Sequence, residues 1–164
     1  MATVQTRTGA RDFDFFHGSW RILNERLTSR LTNCDEWERF EAFGDCRPIL
    51  GGLGNIDDFR PTWRGREGFE GASLRLFNPA TEQWSIYWMD TIGGELLPPV
   101  MGRFSDGVGV FYGDDRHEGT PVLVRFRWSD ITPNSARWEQ AFSTDRGETW
   151  EINWVMTLSR IQAD

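Results

Sequence analysis

Hydrophobic and polar residues alternate along most of the chain after residue 35, between clusters of turn residues. Alternation with a period of two is typical of half-buried β-strands, whereas helices would show a sustained period of about 3.6 residues. No such helical period is found after residue 35. The clearest turns are predicted at residues 33–35, 78–81, 105–107, 132–134 and 145–147, with longer connections at 51–54 and 93–99. The pattern therefore predicts an all-β protein in which helices are short and few.

Folding the sequence at successive turns tests whether these strands form hairpins with one apolar face. Centred on Pro133, the predicted pairs are Trp128 with Trp138, Phe126 with Gln140, Val124 with Phe142 and, on the other face, Arg127 with Glu139. Centred on Arg146, they are Phe142 with Trp150, Gln140 with Ile152 and Trp138 with Trp154. Side chains of a cross-strand pair share a face, so one face collects aromatic residues and the other collects charged ones.

Two earlier turns give similar pairings. Centred on Ala80, the predicted pairs are Leu76 with Trp84, Leu74 with Ile86 and Ala72 with Trp88; centred on Asp106, they are Phe104 with Val108 and Gly102 with Val110. Four consecutive hairpins form a meander, which must bury its apolar face by closing or by pairing with a second sheet. We expect a single antiparallel up-and-down β-barrel of about 8–10 strands.

The domain organisation follows from length and polarity. Residues 1–11 are polar and are predicted to be a disordered N-terminal tail. Residues 12–164 are predicted to form one barrel domain, since a chain of 164 residues fits one domain and can bury a sizeable core.

Charge narrows the choice of partners. The chain has 25 acidic and 18 basic residues, a net charge of −7, and its arginines are scattered among acids. Binding to nucleic acid or to an anionic membrane relies on clustered basic residues, so neither partner is expected. No apolar run has the length of a signal peptide or a membrane span, which favours a cytoplasmic protein. Monomer and homodimer both remain open.

Residues with metal-binding or nucleophilic chemistry are few. The two histidines, at positions 17 and 117, lie in different neighbourhoods, so no metal site is predicted. Cys34 and Cys46 lack CxxC spacing and are interpreted as two reduced thiols, although an exported protein would allow a disulfide between them. No P-loop, Rossmann fingerprint or nucleophile elbow is present.

Residues 143–150 match the SxDxGxTW pattern of an Asp-box. In that motif an Asp side chain accepts hydrogen bonds from turn amides, and a Gly adopts positive φ at the corner of a β-hairpin. A single copy does not support a propeller with repeated blades. The motif therefore predicts the turn around Asp145 and no chemistry.

Residues 13–20, with the sequence FDFFHGSW, lead into the first predicted strand, and Arg160 lies near the end of the last one. This arrangement resembles the calycin superfamily, which includes the lipocalins. The resemblance implies a short N-terminal helical turn and an Arg160 side chain that packs across Trp20, after Gly18, to close the barrel base. From residue 12 to residue 160 the chain also resembles uncharacterised bacterial lipocalin-like proteins, through the segments 47–52, 77–81 and 83–88.

The resemblance does not extend to a haem cofactor. Haem-binding calycins of the nitrobindin group carry a Gly-x-Trp-x-Gly-x-Gly motif, whereas Ile22 and Asn24 stand at its last two glycine positions here. No histidine lies on a late predicted strand to ligate iron. We therefore expect no cofactor.

Polar groups on the predicted aromatic face indicate a ligand cavity. A polar group that faces an apolar interior needs a protein partner, a water molecule or a ligand. The first hypothesis is a protein that binds one small hydrophobic or aromatic molecule inside the barrel. Its candidate ligand-binding residues are Asn24, Trp88, Trp128, Trp138, Gln140 and Trp154.

Two alternatives use the same barrel. A cofactor-independent isomerase, cyclase or lyase of bacterial secondary metabolism would take its proton-transfer groups from Asp90, His17 or Tyr87. An interaction protein would instead fill the barrel with its own side chains, since nine Trp and twelve Phe suffice for a small interior. The residues alone leave all three hypotheses open.

Overall fold

This computed structural model describes residues 9–162, which contain ten antiparallel strands and two short 3₁₀ turns. In chain order the strands are β1 (Gly18–Leu27), β2 (Trp37–Ile49), β3 (Gly54–Thr62), β4 (Gly71–Asn78), β5 (Gln83–Asp90), β6 (Val100–Ser105), β7 (Val108–His117), β8 (Thr120–Ser129), β9 (Ser135–Ser143) and β10 (Glu151–Arg160). The first 3₁₀ turn, Asp14–Phe16, precedes β1, and the second, Leu50–Gly52, joins β2 to β3. Neither of the helical segments in this range is long and apolar enough to cross a membrane.

The sheet closes into a barrel because each strand pairs with its neighbours in sequence and β10 pairs with β1. The prediction of an all-β, antiparallel up-and-down barrel with a short N-terminal helical turn is therefore confirmed. In this topology all odd-numbered strands end at the same end of the barrel. That end is called the mouth below, and the opposite end, where β1 begins, is called the base.

The hairpin of β8 and β9 has the register that the sequence predicts. Trp128 pairs with Trp138, and both side chains face the interior. On the outer face Arg127 pairs with Glu139, and their Nη1 and Oε1 atoms are 3.1 Å apart. Period-two alternation therefore assigned both faces of this hairpin correctly.

The hairpin of β4 and β5 differs from its prediction by one residue. Phe77, rather than Leu76, pairs with Trp84, because the loop between the strands contains four residues, 79–82, instead of three. A one-residue slip moves every side chain of a strand to the opposite face. Phe77 and Arg75 consequently face the interior, where the sequence placed the leucines.

The hairpin of β6 and β7 differs in the same way. Its turn contains two residues, Asp106 and Gly107, with φ values of 52° and 76°. Positive φ at both central residues is required by a type I′ turn. Phe104 therefore pairs with Gly109 rather than with Val108 as predicted.

A bulge alters the hairpin of β9 and β10. The register shifts between Ile152 and Trp154, so that Gln140 pairs with Trp154 rather than with Ile152. The extra residue of a bulge changes which side chains follow the alternation. Trp154 keeps its predicted place in the interior, whereas Ile152 is exposed and Trp150 packs against Tyr112 on the outer surface.

The first 3₁₀ turn plugs the base of the barrel with aromatic side chains. Phe13 is 1% exposed, and its ring centre lies 4.9 Å from those of both Trp84 and Phe104. Trp20, which is fully buried, donates its indole N–H to the carbonyl oxygen of Phe16 at 2.8 Å. These contacts hold the turn inside the ring of strands.

Arg160 closes the base across Trp20. Its guanidinium carbon lies 4.4 Å from the centre of the Trp20 ring, and its nitrogens donate to the carbonyl oxygens of Phe15, His17 and Pro133. Gly18 has a φ of +112°, and a Cβ atom there would lie 2.6 Å from Arg160 Nη1. This is the arrangement that the calycin resemblance implies for Gly18, Trp20 and Arg160.

Residues 9–11, which the sequence assigned to a disordered tail, form a turn against the base. Ala10 is 8% exposed, and the carbonyl oxygen of Gly9 accepts a hydrogen bond from Trp84 Nε1 at 3.0 Å. The tail prediction is therefore wrong for these three residues, because an apolar contact and an indole hydrogen bond hold them. Residues 1–8, the rest of that predicted tail, lie outside the described residues.

Candidate functional site

A cavity of about 440 Å³ lies inside the barrel, above the aromatic base. Cavities that bind small molecules span roughly 300–1,000 Å³. Inward-facing side chains of the strands form its wall, and the connections after β1, β3 and β5 contribute its rim. The cavity therefore opens at the mouth. An interior filled by side chains, the third hypothesis from the sequence, does not describe this barrel.

Indole side chains form much of the wall. The four predicted to contact a ligand all line the cavity: Trp88, Trp128, Trp138 and Trp154. A fifth, Trp63, follows the end of β3 and stacks on Phe40 with ring centres 4.3 Å apart. Trp63 was not predicted from the sequence because it lies in a connection, where strand alternation does not indicate which side chains face the interior.

Two amide side chains support the wall in different ways. Asn24, 1% exposed, accepts a hydrogen bond from Trp154 Nε1 at 3.0 Å and donates to the carbonyl oxygen of Ile22 at 3.1 Å. Asn24 is not among the residues that line the cavity. Its side chain instead holds the indole of Trp154, which does line the cavity. Gln140 does line the cavity, and it donates to Asn153 Oδ1 at 2.8 Å.

The three candidate proton-transfer residues do not come together. Asp90 lies at the rim, where its carboxylate accepts hydrogen bonds from Trp88 Nε1 at 2.9 Å and from the amides of Ile92 and Gly93. His17 lies at the base, and Tyr87 alternates with Trp88 and so faces outward from β5. Neither His17 nor Tyr87 is among the cavity-lining residues. Of the three alternatives, only Asp90 is in a position to contact a molecule in the cavity.

A buried ion pair that the sequence analysis missed joins β4 to β3. Arg75, 4% exposed, donates Nη1 to Asn55 Oδ1 and Nη2 to Asp57 Oδ2, each at 3.0 Å. Asp57 also accepts the backbone amide of Ser73 at 2.9 Å. Burial raises the pKa of the Asp57 carboxyl, and the positive charge of Arg75 opposes that rise. The one-residue slip in the predicted register of β4 concealed this pair.

Arg75 also connects the wall to the base. Its guanidinium carbon lies 5.0 Å from the ring centre of Phe16 and 5.9 Å from that of Trp128. Arg75 Nε and Trp128 Nε1 are buried donors with no hydrogen-bond partner among residues 9–162. Buried donors without partners are unusual and costly, and an acceptor on a bound molecule would remove that cost.

Three arginines lie along one side of the mouth: Arg26 at the end of β1, Arg30 in the β1–β2 connection and Arg66 in the β3–β4 connection. The guanidinium carbon of Arg26 is 5.1 Å from the Trp63 ring centre and 5.2 Å from that of Trp154, and that of Arg66 is 4.4 Å from Trp63. Burial lowers the pKa of Arg26 to about 10, and the nearby charges of Arg30 and Arg66 contribute to this decrease. Three positive charges therefore act on each other at this edge.

The two cysteines are free thiols. Cys46 is 5% exposed, and burial raises its pKa to about 12, so it is protonated at neutral pH. Cys34 is half-buried, and a hydrogen bond with Thr28 lowers its pKa. Across the described range, His, Cys, Asp and Glu side chains form no group of three or more that could hold a metal ion.

Comparisons with known proteins support the architecture. No protein-family model matches the chain, and no curated protein sequence matches it either. Among solved structures, an S-type phycobiliprotein lyase from Guillardia theta is similar over 96% of this chain and 96% of its own, with a TM-score of 0.66. The two sequences are 12% identical. At that identity the likeness concerns the fold alone.

Proposed function

We propose that this barrel binds one small molecule with a flat, hydrophobic body. The observation that carries the proposal is the cavity of about 440 Å³, which opens at the mouth and has five indole side chains in its wall. An apolar, aromatic wall with a few placed polar groups is the usual construction of a small-molecule site.

The geometry of the wall favours a planar ligand. The Trp138 and Trp154 rings meet at 82° with centres 6.1 Å apart, and the Trp63 ring centre lies 5.9 Å from Trp154. Each aromatic contact of this kind adds about 0.5–1.5 kcal/mol beyond the burial of apolar area. A planar molecule inserted among these rings would gain several such contacts.

The wall is also held in place before any ligand arrives. Asn24 fixes the Trp154 indole, and Asp90 fixes that of Trp88, through hydrogen bonds of 3.0 Å and 2.9 Å. A side chain that is already ordered loses little conformational entropy on binding. The enzyme hypothesis has no comparable support, because its candidate proton-transfer groups are at the rim, at the base and outside the barrel.

Binding of the neutral fluorescent probe N-phenyl-1-naphthylamine tests the proposal. We expect saturable binding of one probe per chain, with quenching of tryptophan emission because the indoles line the site. The variant Met156→Trp enlarges a cavity-lining side chain and is expected to weaken probe binding by about tenfold or more, which is about 1.4 kcal/mol.

The matched control is Thr157→Trp, at the next position of β10, where the side chain is exposed. It adds the same indole on the outside of the barrel and should leave probe affinity unchanged within about twofold. Thermal melts establish that both variants are folded. Equal affinity in the two variants, or no saturable binding to the unaltered protein, would contradict the proposal.

A further inference from the structure

The positive charges at the mouth have few counter-charges. Arg26 forms one long hydrogen bond to a carboxylate, with 3.5 Å between its Nη1 and Glu38 Oε1, and its Nε has no partner among the described residues. The side chains of Arg30 and Arg66 donate no hydrogen bond to any residue in the range 9–162 and form no ion pair within 4.0 Å there. A guanidinium group carries five N–H donors, so most N–H donors of these three arginines are available to a ligand.

Arg30 has three glutamates nearby but forms no ion pair with any of them among the described residues. Glu38, Glu118 and Glu151 favour the charged form of Arg30, yet burial and the charge of Arg66 outweigh them, and its pKa is lowered. One carboxylate oxygen of Glu151 is also engaged by the backbone amide of Leu31 at 2.9 Å. Burial and the charge of Arg66 therefore both act against the positive charge of Arg30.

Stacking leaves the edges of the guanidinium groups available. The guanidinium carbons of Arg26 and Arg66 lie 5.1 Å and 4.4 Å from the centre of the Trp63 ring. Arginine that contacts an aromatic ring in this way still presents its N–H fork in the plane of the group, which suits the two oxygens of a carboxylate or sulfonate.

Four acidic residues line the cavity at its rim, on elements other than those that carry the arginines. Asp90 ends β5, Glu95 follows it, and Asp114 and Asp115 lie on β7, whereas Arg26, Arg30 and Arg66 belong to β1 and to the connections after β1 and β3. In the strand order β1 is five places from β6, the strand between β5 and β7. Arg26 on β1 is therefore remote from these four acids in the ring of strands, and an anionic group is attracted to the arginines and repelled by the acids.

We infer that the ligand is an anionic aromatic molecule whose carboxylate or similar oxyanion is held by Arg26, Arg30 and Arg66 while its apolar body occupies the cavity. This inference rests on the proposed function and adds the chemical class of the ligand. The buried Arg26 supplies the deepest donor, 5% exposed, and the other two arginines close around the head group from the connections.

Two probes with one aromatic skeleton test the inference. 8-Anilinonaphthalene-1-sulfonate is N-phenyl-1-naphthylamine with an added sulfonate, so the ratio of their dissociation constants isolates the contribution of the anion. We expect the sulfonate probe to bind the unaltered protein at least about tenfold more tightly than the neutral probe. In the double variant Arg30→Gln/Arg66→Gln that preference should fall at least about fivefold.

The matched control is Arg21→Gln/Arg39→Gln, which removes the same charge from the outer faces of β1 and β2, where both side chains are paired with glutamates. Its probe preference should equal that of the unaltered protein. If the neutral probe binds in the cavity but the preference is absent, or falls equally in both double variants, the inference fails and the proposed function stands. If neither probe binds saturably, the proposed function fails first and the inference with it.

Discussion

Arg75 is the residue that the alternation along β4 assigns to the wrong face. Its neighbours in sequence are leucines, and a hairpin centred on Ala80 turns those leucines inward. In the structure the longer loop turns Arg75 inward, where it forms an ion pair with Asp57. The side chain of Arg75 is 5% exposed and that of Asp57 is 10% exposed. At the scale of single residues, a charged group in a barrel interior is not evident from local pattern, because its partner lies on another strand.

Replacing one partner of this ion pair should lower the free energy of unfolding more than replacing both partners. In Arg75→Met the Asp57 carboxylate remains buried without its counter-charge, and we expect the free energy of unfolding to fall by about 3–5 kcal/mol. In Asp57→Leu/Arg75→Met both charges are replaced by apolar groups, and most of that loss should be recovered. Equilibrium unfolding in urea measures both values.

Leu74→Met is the control for that series. Leu74 is adjacent to Arg75 in sequence, but its side chain lies on the outer face of β4. A substitution of similar volume there should change stability by less than about 0.5 kcal/mol. If Arg75→Met were no less stable than Leu74→Met, the pair could not be buried as described. The comparison therefore also tests the register of β4.

At the scale of the elements, turn chemistry decided how well the hairpins were predicted. The β8–β9 pairing was correct, whereas a four-residue loop at 79–82 and a two-residue turn at Asp106 each shifted the register by one. Strand period predicts which residues share a face, but loop length determines which face is inside. The bulge between Ile152 and Trp154 has no signal in the alternation, and its extra residue, Asn153, is buried and accepts a hydrogen bond from Gln140.

The β9–β10 turn was predicted in more detail, through the Asp-box at residues 143–150. Asp145 Oδ1 accepts the amide of Thr149 at 2.9 Å, the carboxylate also accepts the Thr149 hydroxyl, and Gly147 has a φ of +90°. These bonds, chiefly those from Thr149, lower the pKa of Asp145 to about 2 from 3.8. The charged carboxylate is thus the form that stabilises this turn.

The contribution of Asp145 should depend on pH in a defined direction. Because its pKa is lower in the folded state, the stabilisation is complete above pH 3.8 and is lost as the pH falls towards 2. Asp145→Asn should therefore lower the melting temperature at pH 6. The difference in melting temperature from the unaltered protein should shrink as the pH falls from 3.8 to 2. Asp106→Asn, in the turn between β6 and β7, is the control and should show no such convergence. A difference that stays constant down to pH 2 would contradict the assignment.

At the scale of the whole molecule, closure of the barrel was predictable because ten amphipathic strands leave an apolar face to bury, and Gly18, Trp20 and Arg160 mark the base. The indoles of the wall followed from the same reasoning. The rim did not, because Trp63, Arg30 and Arg66 lie in connections whose placement depends on the closed ring rather than on any local period. These parts of the candidate site are therefore visible only in three dimensions.

The aromatic plug at the base should matter for the stability of the entire barrel. Phe13, 1% exposed, contacts rings contributed by β5, β6, β7 and β8, so Phe13→Ala leaves a void that no single strand can fill. We expect a loss of about 3–5 kcal/mol in the free energy of unfolding, measured by urea titration. Phe15→Ala, on the same turn at a half-buried position, should cost clearly less. Equal losses would mean that the plug is not anchored through Phe13.

The ladder between β5 and β6 is the shortest in the ring. It joins three residue pairs, with Trp84, Ser85 and Ile86 on the β5 side, whereas β1 and β2 are joined over ten. The last part of β5 borders the connection 91–99, and the amide of Leu97 donates to the carbonyl oxygen of Trp88 at 2.9 Å. Local opening favours the places with the fewest backbone hydrogen bonds. We therefore expect a ligand wider than the mouth to enter where the connection 91–99 moves away from β5. The other strands would keep their pairing register during this opening.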